Sequence, residues 1–256
     1  MNALVKKTPG TGAQLDSINA PKLGSREVLA EVRAMSICGT DLHTYNWDSW
    51  AASRIKPPLV MGHEFAGIVV KVGRDVAIIQ QGDFISAETH IYDGVCYQCR
   101  TGRMHLCEKV QVLGVDRDGV FAEYVAIPEG NVWRNERRIS PELMSIQEPL
   151  GNAVHSVVPE DDEGVEGKDV AVLGCGAIGL MSIAVAKALG AARVFATELN
   201  VPVRLRLAKE MGADEVFNVQ EDKDVVKTVY DATDGKGVDV LLEMSGSQQA
   251  LRQGLA

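Results

Sequence analysis

A chain of 256 residues has room for two domains and can bury most of its apolar surface. With 46% hydrophobic and 24% charged residues, wholesale disorder is excluded. A net charge of −9 with no long Lys/Arg run argues against nucleic acid or an anionic membrane as partner. Residues 1–10 hold no apolar core of the signal-peptide kind. The longest uncharged stretch, 170–186, is 17 residues with three Gly, short of the roughly 20 a spanning helix needs. A soluble, cytoplasmic protein acting on a small molecule is expected. Five Cys, three of them bunched at Cys96, Cys99 and Cys107, favour metal over disulfides in such a protein. All five His and four of the five Cys precede residue 156, which places metal chemistry in the first part.

Up to residue 155 the chain reads as short strands broken by Gly and Pro. Residues 27–34 alternate with period two, 65–72 form a Val- and Ile-rich run closed by Gly73, and 84–87 and 121–127 are further strands. This pattern predicts a β-barrel or sandwich over 1–155. Asp161-Asp162-Glu163-Gly164 reads as a polar linker. Beyond it, residues 170–173 are a continuous apolar strand of the buried parallel type. Helices at 177–189, 203–211 and 224–233 then alternate with strands at 193–197, 215–219 and 238–242. Gly190 and Gly212 stop the first two helices. The alternation predicts a doubly wound parallel α/β sheet over 156–256. Four strands are visible, where a six-stranded domain needs two more crossovers.

Gly174-Cys175-Gly176-Ala177-Ile178-Gly179 fits G-x-G-x-x-G between a predicted strand and helix. The first Gly makes the turn, the second lets backbone approach a pyrophosphate, and the third lets helix pack on strand. Ala177 and Ile178 open the helix whose free N–H groups would face the phosphates. Glu198 ends the next strand, 19 residues beyond Gly179. A carboxylate there accepts from a ribose 2′-OH and repels a 2′-phosphate, which favours NAD over NADP. Arg204 either faces the adenosine ribose or is an exposed helix residue. Cys175 reads as a small loop residue without chemistry.

Two sets of residues suit a metal. Asp93-x2-Cys96-x2-Cys99-x7-Cys107 can converge on one tetrahedral ion, with a carboxylate in place of a fourth thiolate. The other reading is three reduced surface thiols; His105 is a bystander. The second set is dispersed: Cys38, His63, Glu64 and Glu148. A thiolate, an imidazole and a carboxylate suit a zinc ion that keeps an open position, but spacing alone does not connect them.

Gly62-His63-Glu64-x2-Gly67-x5-Gly73-x2-Val76 resembles the zinc signature of the medium-chain alcohol dehydrogenase family. Cys38-Gly39-Thr40-Asp41-Leu42-His43-x-Tyr45-x-Trp47-x2-Trp50, Glu88-Thr89-His90-Ile91, 114–124 and 147–154 are similar to the branch that acts on L-threonine. The likeness covers essentially the whole chain. It implies a GroES-like β-barrel catalytic domain followed by a partial Rossmann domain. It also implies Cys38, His63 and Glu148 as ligands of a catalytic zinc, with Glu64 able to approach or exchange onto the metal. Thr40 and His43 match a proton relay, His90 a residue near the substrate, and Trp47 and Trp50 aromatic packing positions. Asp93 stands where most members have Cys. Members run further at the C-terminus, so the chain resembles one that is C-terminally truncated, and they are commonly homotetrameric.

The resemblance implies zinc-dependent oxidation of a secondary alcohol with hydride transfer to NAD. L-Threonine, giving 2-amino-3-oxobutanoate, is the leading substrate. Two other readings stay open: a polyol or 2,3-butanediol dehydrogenase, and a truncated zinc- and NAD-fold protein without turnover.

Overall fold

The alternation at 27–34 becomes a ten-residue strand that is the spine of the N-terminal part. In this computed structural model, which describes residues 1–158, 164–222 and 224–256, the chain divides into two units, Met1–Glu148 and Pro149–Ala256. Asp161, Asp162 and Glu163 of the expected linker lie outside the described residues.

The first unit opens with β1 (Asn2–Lys6), β2 (Gln14–Ser17) and β3 (Glu27–Ser36). Two short helices follow, α1 (Gly39–Asn46) and α2 (Ser49–Arg54), then β4 (Leu59–Val60), β5 (Glu64–Val72), β6 (Phe84–Ala87) and β7 (His90–Ile91). After α3 (Tyr97–Arg100) come β8 (Gln111–Val112), β9 (Tyr124–Pro128), β10 (Val132–Arg134) and α4 (Pro141–Ser145). The strands form a three-stranded sheet β2-β1-β4, a five-stranded sheet β10-β6-β5-β3-β9 and the pair β7-β8, all antiparallel. Val28, Phe65, Val69, Ile85, Leu113 and Ile127 fill the core of this unit.

The register of β3 against β5 positions the chemistry. It runs from Val28 opposite Val72 to Ser36 opposite Glu64, with irregularities at Leu29/Ala30 and Val32/Ala34. An irregular pair shifts which side chains face each other beyond it. Glu64 therefore pairs with Ser36, two residues before Cys38, so segments 25 residues apart in sequence meet at one end of the sheet.

Behind this end lies an unusual anchor. Lys6 is fully buried at the end of β1. Its ammonium donates to the carbonyls of Gly10, Gly12 and Tyr45, the last at 3.2 Å, and sits 5.0 Å from the centre of the Trp47 ring. Tyr45 is in α1 and Trp47 is its left-handed C-cap, with φ 58°. One cation thus ties the helix that carries Cys38, Thr40 and His43 to the first strand. Trp47 also packs with Ala51, Ile55, Leu59 and Val115, in keeping with a packing role.

The second unit alternates strand and helix. It holds most of α5 (Gln147–Val157), then β11 (Asp169–Leu173), α6 (Ala177–Ala188), β12 (Arg193–Glu198) and α7 (Pro202–Glu210). β13 (Glu215–Asn218), α8 (Val225–Ala232), β14 (Val240–Glu243) and α9 (Gln248–Gly254) complete it. The sheet is parallel with order β13-β12-β11-β14. Val170, Val172, Val194 and Ala196 are buried with Ile183 and Ala186 of α6, which explains why β11 reads as an unbroken apolar run. Among the described residues no helix is long and apolar enough to cross a membrane.

Replacing Lys6 by Met keeps the volume but leaves the Gly10 and Gly12 carbonyls without this donor, the Tyr45 carbonyl keeping the Gly12 N–H. It is expected to cost about 3 kcal/mol of unfolding free energy, read by urea denaturation.

Candidate functional site

Cys38 is the N-cap of α1, and Asp41, three residues on, closes a reciprocal cap: the Cys38 N–H donates to Asp41 Oδ2 at 2.9 Å. His63 and Glu64 arrive from the start of β5. Gly62 before them has φ +86°, and a Cβ there would stand 2.2 Å from Phe121 Cδ1, so only glycine lets the segment lie against that ring. Ligand-type atoms of Cys38, His63 and Glu64 lie within 4.8 Å of one another.

His63, Glu64 and Asp41 are buried and Cys38 is half-buried. The His63 side chain is about 6% exposed; its Nδ1 has no hydrogen-bond partner, and Asp41 Oδ1 is 3.8 Å away. Burial raises the Cys38 thiol above its ordinary range, and nearby Glu64 and Asp41 push the same way against hydrogen bonds from Thr40. Burial likewise raises the Glu64 and Asp41 carboxyls, opposed chiefly by the charge of His63. A buried set of one thiol, two carboxyls and one imidazole with an orphaned nitrogen is what a divalent cation would satisfy. The residues fit zinc.

Glu148, near the start of α5, belongs to an adjoining cluster. Its carboxylate lies within 4.8 Å of those of Glu88 and the ring of His90, rather than in the tight set with Cys38. Burial raises Glu148, and the charges of His63 and Glu64 both act on it, so the two clusters are neighbours. Gln147 beside it accepts a hydrogen bond from Ser86 of β6, which fixes where α5 begins. Glu88 Oε1 accepts from the His90 backbone N–H at 2.9 Å and meets His90 Nδ1 at 2.6 Å. Burial works to raise Glu88, but these bonds outweigh it and hold the carboxyl below its usual range. The same side-chain bond raises His90.

Thr40 and His43, the residues expected to form a relay, sit on α1. Thr40 Oγ1 is 3.7 Å from Cys38 Sγ. His43, one turn on, pairs through Nδ1 with Asp48 and is more than half exposed, with Trp50 edge-on at 5.9 Å.

The lobe cluster assembles as its spacing predicts. Asp93, Cys96, Cys99 and Cys107 place one ligand atom each within 4.8 Å. Asp93 Oδ1 accepts from the Val95 and Cys96 N–H groups, whereas Oδ2 is buried without a partner. The Asp93 and Lys109 N–H groups both donate to Cys107 Sγ at 3.4 Å, and Cys96 Sγ is 3.9 Å from it. Backbone N–H bonds draw the Asp93 carboxyl and the Cys96 thiol below their ordinary ranges, while burial pushes Cys99 up to about 12. An orphaned carboxylate oxygen facing three sulfurs fits a tetrahedral cation. His105 contributes no atom to this set.

In the second unit a cavity of about 650 Å³ is lined by Gly174, Gly176, Glu198, Arg204, Ser245 and Ser247 among others. Gly176 caps α6 without any side-chain hydrogen bond, leaving the first N–H groups of the helix free. The three glycines differ. A Cβ on Gly174 would stand 2.8 Å from that of Ser245, and one on Gly179 only 1.9 Å from the Gly174 carbonyl oxygen. One on Gly176 would meet nothing within 4 Å and would project into space a ligand can fill. Ala177 and Ile178 form the first turn behind it. Glu198 is buried: Oε2 accepts from the Cys175 N–H at 3.0 Å and pairs with Arg204 at 3.3 Å, and Oε1 accepts from the Leu199 N–H. The expected ribose acceptor is thus also a brace of the glycine turn. Cys175 is fully buried, its thiol pushed up to about 12 by burial, which agrees with a residue without chemistry.

Asp41 and Glu88 were not singled out from the sequence. The Cys38-x2-Asp41 spacing of a helix cap could have found the first. Glu88 lies in the Glu88-Thr89-His90-Ile91 stretch that carried the resemblance, but nothing in its spacing gives it a role.

Residues 24–137 match the alcohol dehydrogenase GroES-like domain family and residues 177–256 the zinc-binding dehydrogenase family. The chain belongs to the zinc-dependent alcohol dehydrogenases, a GroES-like domain followed by a Rossmann domain, with zinc and NAD as the cofactors that membership implies. It is 52% identical over its whole length to an L-threonine 3-dehydrogenase of Bacillus licheniformis and 53% identical to one of Pyrococcus horikoshii, spanning 72% of each relative. The crystal structure of 2R,3R-butanediol dehydrogenase from Bacillus subtilis superposes with a TM-score of 0.86 at 31% identity, covering 99% of this chain and 73% of that one.

The purified protein is expected to carry about two zinc ions per chain by atomic emission, with Asp93→Ala removing one and Cys38→Ser the other. Gly176→Val is expected to weaken NAD binding more than about tenfold with little loss of stability. Gly179→Val should instead destabilise the unit by more than about 2 kcal/mol, measured by thermal unfolding.

Proposed function

We propose that the chain oxidises L-threonine at its secondary hydroxyl to 2-amino-3-oxobutanoate, the hydride passing to NAD and the proton to solvent. The observation that supports this most is the buried Cys38–His63–Glu64 set in a chain 52–53% identical, end to end, to L-threonine 3-dehydrogenases. The lower identity of 31% to a butanediol dehydrogenase ranks that substrate second.

In this reading Met1–Glu148 is the catalytic unit and Pro149–Ala256 the NAD-binding unit. Cys38, His63 and Glu148 hold the catalytic zinc, with Glu64 as an exchangeable ligand, and Asp93, Cys96, Cys99 and Cys107 hold a structural one. A divalent zinc supplies positive charge that makes a nearby hydroxyl acidic near neutral pH. Thr40, beside Cys38, is placed to take the hydroxyl proton. His43 is placed to carry it outward, because its ring is both exposed and oriented by Asp48. His90 borders the substrate position, held in place by Glu88. The free N–H groups at the start of α6 receive the pyrophosphate, while Glu198 and Arg204 border the adenosine ribose. A cytoplasmic homo-oligomer belongs to the same reading, and sedimentation measures its size.

The test is NAD reduction with L-threonine, 2,3-butanediol and sorbitol; turnover of either alternative above L-threonine reverses the order. Cys38→Ser is expected to lower kcat/KM by at least about a thousandfold with an unchanged circular dichroism spectrum. His43→Ala should cost about a hundredfold, partly restored by added imidazole.

A further inference from the structure

The cluster of Glu88, His90 and Glu148 contains one carboxylate more than the proposed zinc site uses. Glu148 is buried and adjoins His63 and Glu64. Glu88 lies within 4.8 Å of it on the outer side, its side chain 39% exposed, and is fixed by two contacts from His90. Both contacts fall on Oε1, which leaves Oε2 as the oxygen His90 does not engage. A partly exposed carboxylate held by two hydrogen bonds beside the proposed zinc site has the charge to receive a small cation carried next to the reacting carbon. In a vicinal amino alcohol the ammonium lies about one hydrogen-bond length from the hydroxyl. A hydroxyl delivered to the Cys38–His63 set therefore brings that ammonium within reach of the Glu88–Glu148 neighbourhood. A diol or polyol has no charge to place there.

We infer that Glu88 is the residue that selects amino alcohols, its carboxylate receiving the substrate's α-ammonium while His90 holds it in position. This deepens the reading above and rests on it for the location of the hydroxyl. Charge-assisted hydrogen bonds are the stronger kind, but Glu88 is partly exposed, so solvent screening puts its effect at the low end of their range.

The experiment compares wild type, Glu88→Gln and Glu88→Asp, each loaded with cobalt in place of zinc. The visible spectrum of the cobalt is titrated with L-threonine, with 1-amino-2-propanol, which keeps the ammonium, and with 3-hydroxybutanoate, which lacks it. In Glu88→Gln the preference for L-threonine over 3-hydroxybutanoate is expected to fall about tenfold, and the 1-amino-2-propanol affinity with it, Glu88→Asp restoring part of both. Equal weakening of all three ligands, or no change, overturns the assignment. So does a third metal ion in wild type that Glu88→Gln removes, since the cluster would then be a cation site. The wild-type titrations judge the functional reading separately. If wild type binds 1-amino-2-propanol but not L-threonine, the substrate is wrong while the Glu88 comparison still decides. If it binds neither amino alcohol, both ideas fall.

Discussion

Acidic groups gathered in a place that water reaches poorly are the constraint around which the first unit is built. Asp41, Glu64, Glu148 and the Cys38 thiol are all raised above their ordinary ranges, chiefly by burial, with His63 as the main opposing charge. Burial favours the neutral forms of these groups, and their charged forms are costly unless something positive joins them. The lobe solves a milder version, because backbone N–H groups already favour the charged forms of Asp93 and Cys96 there. The two clusters differ in this respect: one is organised by local turns, the other by long-range strand pairing.

That difference governs what the sequence reveals. The lobe was legible from four residues because its geometry is local; each C-x2-C turn brings its sulfurs together whatever surrounds it. The glycine turn and the strands and helices after it as far as β14 were legible to within a residue or two, since apolar runs, helix stops and the G-x-G-x-x-G spacing are also local signals, whereas the polar, seven-residue α9 was missed. The meeting of Cys38 with His63 was not. It depends on the β3–β5 register and on two irregular pairs within it, which no periodicity shows, and only family resemblance connected them. The helices α1 and α2 were missed for a related reason: they are eight and six residues long, too short for a period to stand out, and are held by caps and by Lys6.

Several side chains serve two purposes. Asp41 caps α1 and stands beside His63; Glu198 borders the cavity and braces the glycine turn; Glu88 orients His90 and flanks Glu148. In each case a hydrogen bond from backbone or a neighbouring ring holds the carboxylate in place and leaves the group preorganised. This is how a site can be accurate although parts of it come from helix ends and short loops.

The unequal surroundings of the three glycines bear on how such a chain would age. Packing alone preserves Gly174 and Gly179, because any larger residue strikes backbone or Ser245. Gly176 faces open space and is protected only by usefulness. In a lineage released from selection for dinucleotide binding, drift would erase the middle glycine first and leave its two companions standing as a relic of the turn.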